Sequence, residues 1–236
     1  MTKLSVNINK VATIRNARGN NNPNLLNVAL DCERFGAQGI TVHPRPDERH
    51  IKRQDVYDLR PRLTTEFNIE GYPTDDFCKL VLDVCPAQVT LVPDAPDQLT
   101  SNHGWDTQKH LAFLTEKAAM FHEAGIRVSI FISPDNTMPI MLKSRSRPCG
   151  AVYRTYAANY AKNRDEAIAP YLATSLHCRE IGLGLNAGHD LSLDNLAFYH
   201  QTIPWTDEVS IGHALISDAL YLGLQNTIQL YLECLR

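Results

Sequence analysis

Residues 39–45, GITVHPR, contain the pattern that decides the fold: a short apolar and β-branched run is followed at once by a histidine and an arginine. A run of four such residues is too short for a helix and predicts a strand that is covered on both faces. Strands of that kind belong to parallel sheets with helices packed against them. The polar residues then follow the carboxyl end of the strand, which is where α/β proteins place their sites.

The same pattern recurs along the whole chain of 236 residues. Strands are predicted over 4–8, 39–42, 66–69, 88–92, 128–132, 184–187 and 208–211, with one weak strand over 151–153. Helices are predicted over 25–35, 53–63, 74–84, 108–124, 164–181, 193–200 and from 214 onward, while the stretch before residue 25 reads as a polar loop. Alternating βα units predict an α/β protein with one domain over 1–236, a (β/α)8 or TIM barrel with an eight-stranded parallel core. An open, doubly wound sheet is the alternative.

Composition narrows the possible partners. Hydrophobic residues make up 44% of the chain and the formal net charge is −3, so no overall basic field predicts nucleic acid as a partner. The six cysteines form no C-x-x-C pair, and the first residues, MTKLSVNINK, lack the apolar stretch of a signal peptide. We therefore expect a cytoplasmic protein that does not interact with a membrane.

Titratable side chains follow several of the predicted strands. His43 follows the second strand, Glu70 the third and His189 the seventh. Each alone could be a structural, hydrogen-bonded residue, but in a barrel all three would point toward one mouth and could exchange protons near neutral pH. The mouth would also contain Arg18 and Arg45, whose guanidinium groups suit phosphate oxygens.

Two glycines could bind phosphate or permit tight turns, and the histidines could indicate a metal site. Gly188 and Gly212 each precede a histidine near the last two helices, where barrels often bind phosphate on backbone N–H groups. Alternatively, both glycines simply permit tight turns with positive φ. The histidines could indicate a zinc hydrolase, but the strand ends carry no metal-ligand spacing and the arginines would repel a cation, so we expect neither metal nor cofactor.

The ordered motifs VNINKVATIRNARG, GITVHPRPDERHI, FNIEG, TLVPDAPDQLTS, GLNAGHDLS and VSIGHALI closely resemble those of the pyridoxine 5'-phosphate synthase family. The resemblance spans nearly the whole chain. It implies a (β/α)8 barrel, a cytoplasmic homo-octamer without cofactor, and a condensation of two phosphorylated substrates. These are 3-amino-2-oxopropyl phosphate and 1-deoxy-D-xylulose 5-phosphate, which give pyridoxine 5'-phosphate, inorganic phosphate and water.

The resemblance also assigns site residues by position. His43, Glu70 and His189 match the acid–base catalysts. The residues that match the 3-amino-2-oxopropyl phosphate site are Asn7, Arg18, Asp190, Gly212 and His213. The residues that match the 1-deoxy-D-xylulose 5-phosphate site are Asn9, Lys10, Arg45, His50 and Thr100. The chain departs from the family pattern at Asn9-Lys10, where Asp-His is common, and at Asp190, where glycine is often found.

The segment over 142–156, LKSRSRPCGAVYRTY, does not resemble the family, which has an amphipathic helix and then a strand similar to AELYTEP. One permitted codon set for residues 149–156, TGC GGA GCT GTA TAC AGA ACC TAT, encodes AELYTEP when read one nucleotide later. We therefore hypothesise that two compensating frame changes altered this segment, with ordinary divergence as the alternative; codons incompatible with the shifted frame would refute the hypothesis. An atypical sixth βα unit with local disorder or reduced stability is the expected consequence. A catalytically impaired barrel that still binds phosphorylated ligands is the alternative to an active synthase.

Overall fold

The computed structural model describes residues 1–93, 103–134, 150–151 and 154–236, and its strands form a closed parallel barrel in chain order. Seven of the strands span four to six residues, and the sixth is a two-residue strand that pairs with both neighbours. The strands are β1 Lys3–Asn7, β2 Gly39–Val42, β3 Glu66–Gly71, β4 Gln88–Leu91, β5 Arg127–Ile132, β6 Gly150–Ala151, β7 Asn186–His189 and β8 Glu208–Ile211. The predicted barrel is thereby confirmed.

Helices surround the strands on the outside. Their bounds are α1 Asn9–Arg18, α2 Leu25–Arg34, α3 Arg53–Leu59, α4 Asp75–Val84, α5 Leu111–Glu123, α6 Arg154–Tyr160, α7 Arg164–Glu180, α8 Leu196–Thr202, α9 His213–Leu222 and α10 Leu224–Glu233. Side-chain caps begin α2, α4 and α7, since the side chains of Asn24, Thr74 and Asn163 accept backbone N–H groups of the first turns of these helices. In the described residues, no helix is both long and apolar enough to cross a membrane.

The strands alternate between an apolar outer face and a polar inner face. Leu4 and Val6 of β1 are fully buried against the helices, and Ser5 between them faces the barrel axis. The Ser5 hydroxyl lies 2.8 Å from the Thr41 hydroxyl, which in turn accepts the Asn68 amide at 3.3 Å. TIM barrels usually fill this interior with branched apolar side chains. Here the polar side chains of the mouth are instead followed by further polar side chains inside the barrel.

Several elements differ from the sequence-based prediction, among them α6, which was not predicted. The predicted polar loop contains α1, because Val11, Ala12 and Arg15 recur at helical spacing and are buried on one face. β7 lies at Asn186–His189 rather than 184–187, because Gly184 and Leu185 belong to the connection that follows α7. The closing helix is divided into α9 and α10 at Gly223, whose φ of 76° ends the first helix.

The unusual segment lies mostly outside the described residues, because 142–149 and 152–153 are not among them. The proposed rewriting of the sixth unit and its predicted disorder therefore remain predictions. Tyr156, at the end of the segment, is fully buried and donates its hydroxyl hydrogen to the Asn195 carbonyl at 2.9 Å. The length of the loop over 93–105 makes it a candidate lid over the site, but the loop falls largely on residues 94–102, which the structure does not describe.

Candidate active site

A cavity of about 500 Å³ opens at the carboxyl ends of the strands, and we call it the mouth. The predicted site residues that line it are Asn7, Asn9, Lys10, His43, Arg45, His50, Glu70, His189, Asp190, Gly212 and His213. Arg18 is exposed at the end of α1 and does not line the mouth of its own chain. Thr100 lies outside the described residues.

His43 is a buried, neutral imidazole at neutral pH. Burial, reinforced by the nearby charge of Arg45, holds the pKa of this histidine well below its ordinary value. Its Nδ1 atom lies 3.9 Å from Glu70 Oε2, too far for a direct hydrogen bond but close enough for a proton to pass after a small movement. A neutral imidazole with a carboxylate beside it can accept a proton from a bound substrate.

Two asparagines at the end of β1 hold this pair in place. The Asn9 side-chain oxygen accepts the His43 backbone N–H at 2.9 Å, and Asn7 Nδ2 donates to Glu70 Oε2 at 3.4 Å. The Asn9 backbone N–H in turn donates to Asn7 Oδ1 at 3.1 Å. The departure from Asp to Asn at position 9 therefore keeps the acceptor oxygen, because an amide carbonyl serves in its place.

A buried ion pair behind the mouth fixes the loop that carries His50. Arg15 makes a bidentate contact with Asp55 at 2.6 and 2.9 Å, and both side chains are largely buried. Arg15 and Asn16 also donate to the His50 carbonyl, at 3.2 and 2.7 Å. We call these three side chains, Arg15, Asn16 and Asp55, the loop clamp.

His50 is held in one tautomer. Its Nδ1 atom accepts the Ile51 backbone N–H at 2.9 Å, so the ring hydrogen is on Nε2. Burial, followed by the charges of Arg45 and Lys10, lowers the pKa of His50 to about 4. His50 therefore enters the mouth as a neutral N–H donor among cations, which suits an anionic ligand.

His189 ends β7 in an unusual backbone conformation. Its φ of 66° lies in the left-handed region, which non-glycine residues seldom adopt and which functional sites often contain. Its Nδ1 atom lies 2.7 Å from Asp190 Oδ1. The residue before it must be glycine, because a Cβ atom at Gly188 would stand 2.5 Å from the Ser210 carbonyl oxygen.

Gly212 precedes α9 at the rim of the mouth. As the residue before the helix it provides no side-chain cap, and both Gly212 and His213 line the mouth, so the N-terminus of α9 lies beside the cavity. Neither Gly188 nor Gly212 has a positive φ, so the alternative that they serve positive-φ turns is wrong. Close approach is the physical reason instead, because a Cβ at Gly212 would come within 3.1 Å of the Asn7 side chain.

Sequence reasoning missed the floor of the mouth. Its lining includes Gln88, Thr90, Ser129, Glu208 and Ser210, which lie within strands rather than after them. Their signal is the alternation of polar and apolar residues in runs such as QVTL and EVSI, which a barrel directs inward and outward in turn. In the part of the chain that is described, no cluster of three or more His, Cys, Asp or Glu side chains could hold a metal ion.

The sequence matches a family model described as "Pyridoxal phosphate biosynthesis protein PdxJ" over residues 4–236. Among similar proteins are the pyridoxine 5'-phosphate synthases of Phocaeicola vulgatus and Bacteroides thetaiotaomicron. They are 63% and 62% identical to this chain, and each comparison covers all of both proteins. A more distant relative of the same name, from Christiangramia forsetii, is 54% identical over the full length of both.

Solved structures with this fold include enzymes that differ widely in sequence. A phosphoribosylanthranilate isomerase from Thermotoga maritima aligns with a TM-score of 0.60 at 13% identity, covering 100% of this chain and 98% of that one. A 3-keto-L-gulonate-6-phosphate decarboxylase from Vibrio cholerae aligns with a TM-score of 0.64 at 11% identity, covering 99% and 97%. At such identities the likeness concerns the barrel alone.

Proposed function

The chain belongs to the family described as pyridoxal phosphate biosynthesis protein PdxJ, and we propose that it condenses 3-amino-2-oxopropyl phosphate with 1-deoxy-D-xylulose 5-phosphate. The products are pyridoxine 5'-phosphate, inorganic phosphate and water, as expected of a pyridoxine 5'-phosphate synthase, a transferase. The observation that carries the proposal is the full-length match to synthases of that name. The mouth supplies the matching chemistry, because it combines acid–base groups with cations.

The reaction needs repeated proton transfers, because a Schiff base forms, phosphate is eliminated and an aromatic ring closes. We assign these transfers to His43, Glu70 and His189. Neutral His43 is ready to accept a proton, and Glu70 beside it can take or return one. His189 would approach the substrate from the other side of the barrel, at the end of β7. Together, these residues supply protons without a redox cofactor or a metal.

The two phosphate groups would occupy opposite parts of the rim. The loop after β2 offers Arg45 and neutral His50, and α1 offers Asn9 and Lys10, all of which line the mouth. These groups suit 1-deoxy-D-xylulose 5-phosphate, together with Thr100. Asn7, Gly212, His213 and the first turn of α9 would bind 3-amino-2-oxopropyl phosphate, with Asp190 in the same site beside His189. Arg18 would contribute to the same site after a rearrangement that brings it to the mouth.

Further features belong to the same proposal. We propose that residues 1–236 form one domain, that the protein works in the cytoplasm, and that it assembles as a homo-octamer. Nucleic acid and membrane are not expected partners, and the reaction should proceed with no added cofactor.

Turnover of the purified chain tests the proposal. Incubation with both substrates in the presence of a chelator should release pyridoxine 5'-phosphate and inorganic phosphate in equal amounts, and omission of either substrate should abolish both products. Binding of the substrates without turnover would instead identify a catalytically impaired barrel. Activity that requires a stoichiometric metal ion would contradict the assigned chemistry.

A further inference from the structure

The carboxylate of Asp190 comes directly after His189 in the chain. We propose that Asp190 is a positioning residue for His189: it accepts the Nδ1 hydrogen, so that Nε2 is the ring nitrogen that exchanges protons with the substrate. This inference rests on the proposed function, because it gives His189 its orientation in that reaction. It also assigns to the Asp190 side chain a different task from direct contact with a substrate phosphate.

The contact between the two side chains is short and direct. His189 Nδ1 lies 2.7 Å from Asp190 Oδ1, which is the lower end of the range for hydrogen bonds with a charged partner. A carboxylate only accepts hydrogen bonds, so the hydrogen must be on Nδ1 of the ring. When the ring is neutral, Nε2 is consequently the basic nitrogen, and when the ring is protonated, Nε2 is the acid.

The backbone explains how neighbouring side chains can meet in the mouth. Successive residues of a regular strand point to opposite faces, which would separate His189 from Asp190. The φ of 66° at His189 interrupts that alternation, and both residues line the mouth. A left-handed residue with a Cβ atom is strained, and the hydrogen bond between the side chains offsets part of that strain.

Hydrogen bonds from buried Asn195 hold the loop that follows Asp190. Asn195, which is buried, donates from Nδ2 to the Asp190 carbonyl at 3.3 Å, and its own side-chain oxygen accepts the Ser192 N–H at 3.0 Å. The hydroxyl of buried Tyr156 supports the Asn195 carbonyl. The carboxylate is therefore held beside the imidazole by a braced loop rather than by chance contact on a mobile surface.

Electrostatics favour this task over phosphate binding. A carboxylate in contact with a phosphate group repels it, whereas the same carboxylate beside an imidazole accepts its N–H hydrogen. The Asp190–His189 pair is partly open to the mouth, with 35% and 29% of the two side chains exposed. The ring can therefore exchange a proton with a ligand while its other nitrogen stays bound to Asp190.

Nitrogen NMR of histidine-labelled protein tests the pairing without turnover. The His189 signals are assigned by their loss in His189→Gln and recorded near pH 9, above the ordinary imidazole pKa of about 6.5. We expect a protonated-type shift for Nδ1 and an unprotonated-type shift for Nε2 in the wild-type chain, and a mixture of tautomers in Asp190→Ala. Asp194→Ala, which removes an exposed carboxylate of the same loop that does not line the mouth, should leave the signals unchanged.

Kinetics supply the second readout. Asp190→Ala should lower kcat by about 10- to 100-fold, a share of the ~10²–10⁴ that general acid–base catalysis contributes, with KM values changed less than about threefold. Asp190→Asn, which keeps an acceptor oxygen, should recover part of the loss. Identical His189 shifts in wild type and Asp190→Ala, or an unchanged kcat, would overturn the proposal. Shifts that respond to Asp190→Ala in a chain that makes no pyridoxine 5'-phosphate would instead reject the proposed reaction and leave the pairing intact.

Discussion

The two ends of the barrel carry charged side chains in different arrangements. At the base, where the strands begin, Arg127 and Lys3 both contact Glu66, and Arg127 lies 4.0 Å from Glu208. At the mouth, where the strands end, the ionic groups line a cavity of about 500 Å³. The charged residues that line the mouth above its floor are Lys10, Arg45, Arg49, Glu70 and Asp190.

We infer from this difference that the charges at the base stabilise the fold, whereas those at the mouth serve catalysis and binding. Charges at the base contact one another around a smaller cavity of about 260 Å³. At the mouth, burial and neighbouring cations such as Arg45 lower the pKa values of His43 and His50 and keep both rings neutral. Barrel enzymes generally place catalysis at the carboxyl ends of the strands, and here the contrast follows from the contacts of each end.

We expect the largest effect when a carboxylate is neutralised at the mouth, and the same change at the base provides the control. Glu70→Gln should lower kcat/KM by about 10²–10⁴, because the general acid–base group at the mouth is lost. Glu66→Gln at the base is the matched control and should change the rate less than about twofold, while costing under about 1 kcal/mol of stability. Steady-state assays and urea unfolding measure both. A large rate loss in Glu66→Gln would show that the base takes part in catalysis.

The loop clamp should contribute to the free energy of unfolding as well as to the shape of the mouth. Arg15→Met should lower the free energy of unfolding by about 3–5 kcal/mol, because it leaves the largely buried Asp55 without its bidentate partner. The double variant Arg15→Met/Asp55→Leu should recover much of that loss, since no unpaired charge remains. Chemical denaturation of the wild type and the three variants gives the coupling free energy. A coupling free energy near zero would contradict the clamp.

The charge of Arg45 at the mouth should contribute to substrate affinity. Arg45→Met should raise the KM for 1-deoxy-D-xylulose 5-phosphate by about 10- to 100-fold, and Arg45→Lys should restore only part, because lysine lacks the planar fork. The charge of Arg45 also lowers the pKa of His43, so its removal should move the acidic limb of the kcat/KM profile to higher pH. Unchanged KM and pH profiles would place the phosphate elsewhere.

Glu208 at the floor predicts a pH effect on stability. Burial raises the pKa of this carboxyl from 4.5 to about 7, so the folded chain keeps a proton that the unfolded chain releases. Its contribution to stability is therefore complete at pH values below 4.5 and is lost as pH rises toward about 7. Glu208→Gln should exceed the wild type by about 1–3 kcal/mol near pH 8 and match it near pH 4. Equal stability at both pH values would show that the carboxyl is not buried in its neutral form.

The sequence predicted the barrel and most of the mouth, because the strand runs and the residues after them follow local patterns. Helix α1 was missed because its buried residues Val11 and Ala12 stand in a largely polar stretch. The floor was missed because residues such as Ser129 and Glu208 gain their meaning only when the sheet closes and alternation turns them inward. The contact between His189 and Asp190 depends on a left-handed φ that no sequence pattern indicated.

A crystal structure of Glu70→Gln with both substrates tests the central claim most directly. We expect both ligands in the mouth, with one phosphate at the first turn of α9 and the other near Arg45 and His50. The reacting carbons should lie within reach of His43 and of the ring of His189, and no ligand should occupy the base. Substrates bound at the base, or a bound pose in which neither histidine approaches the reacting carbons, would contradict the division between a catalytic mouth and a structural base.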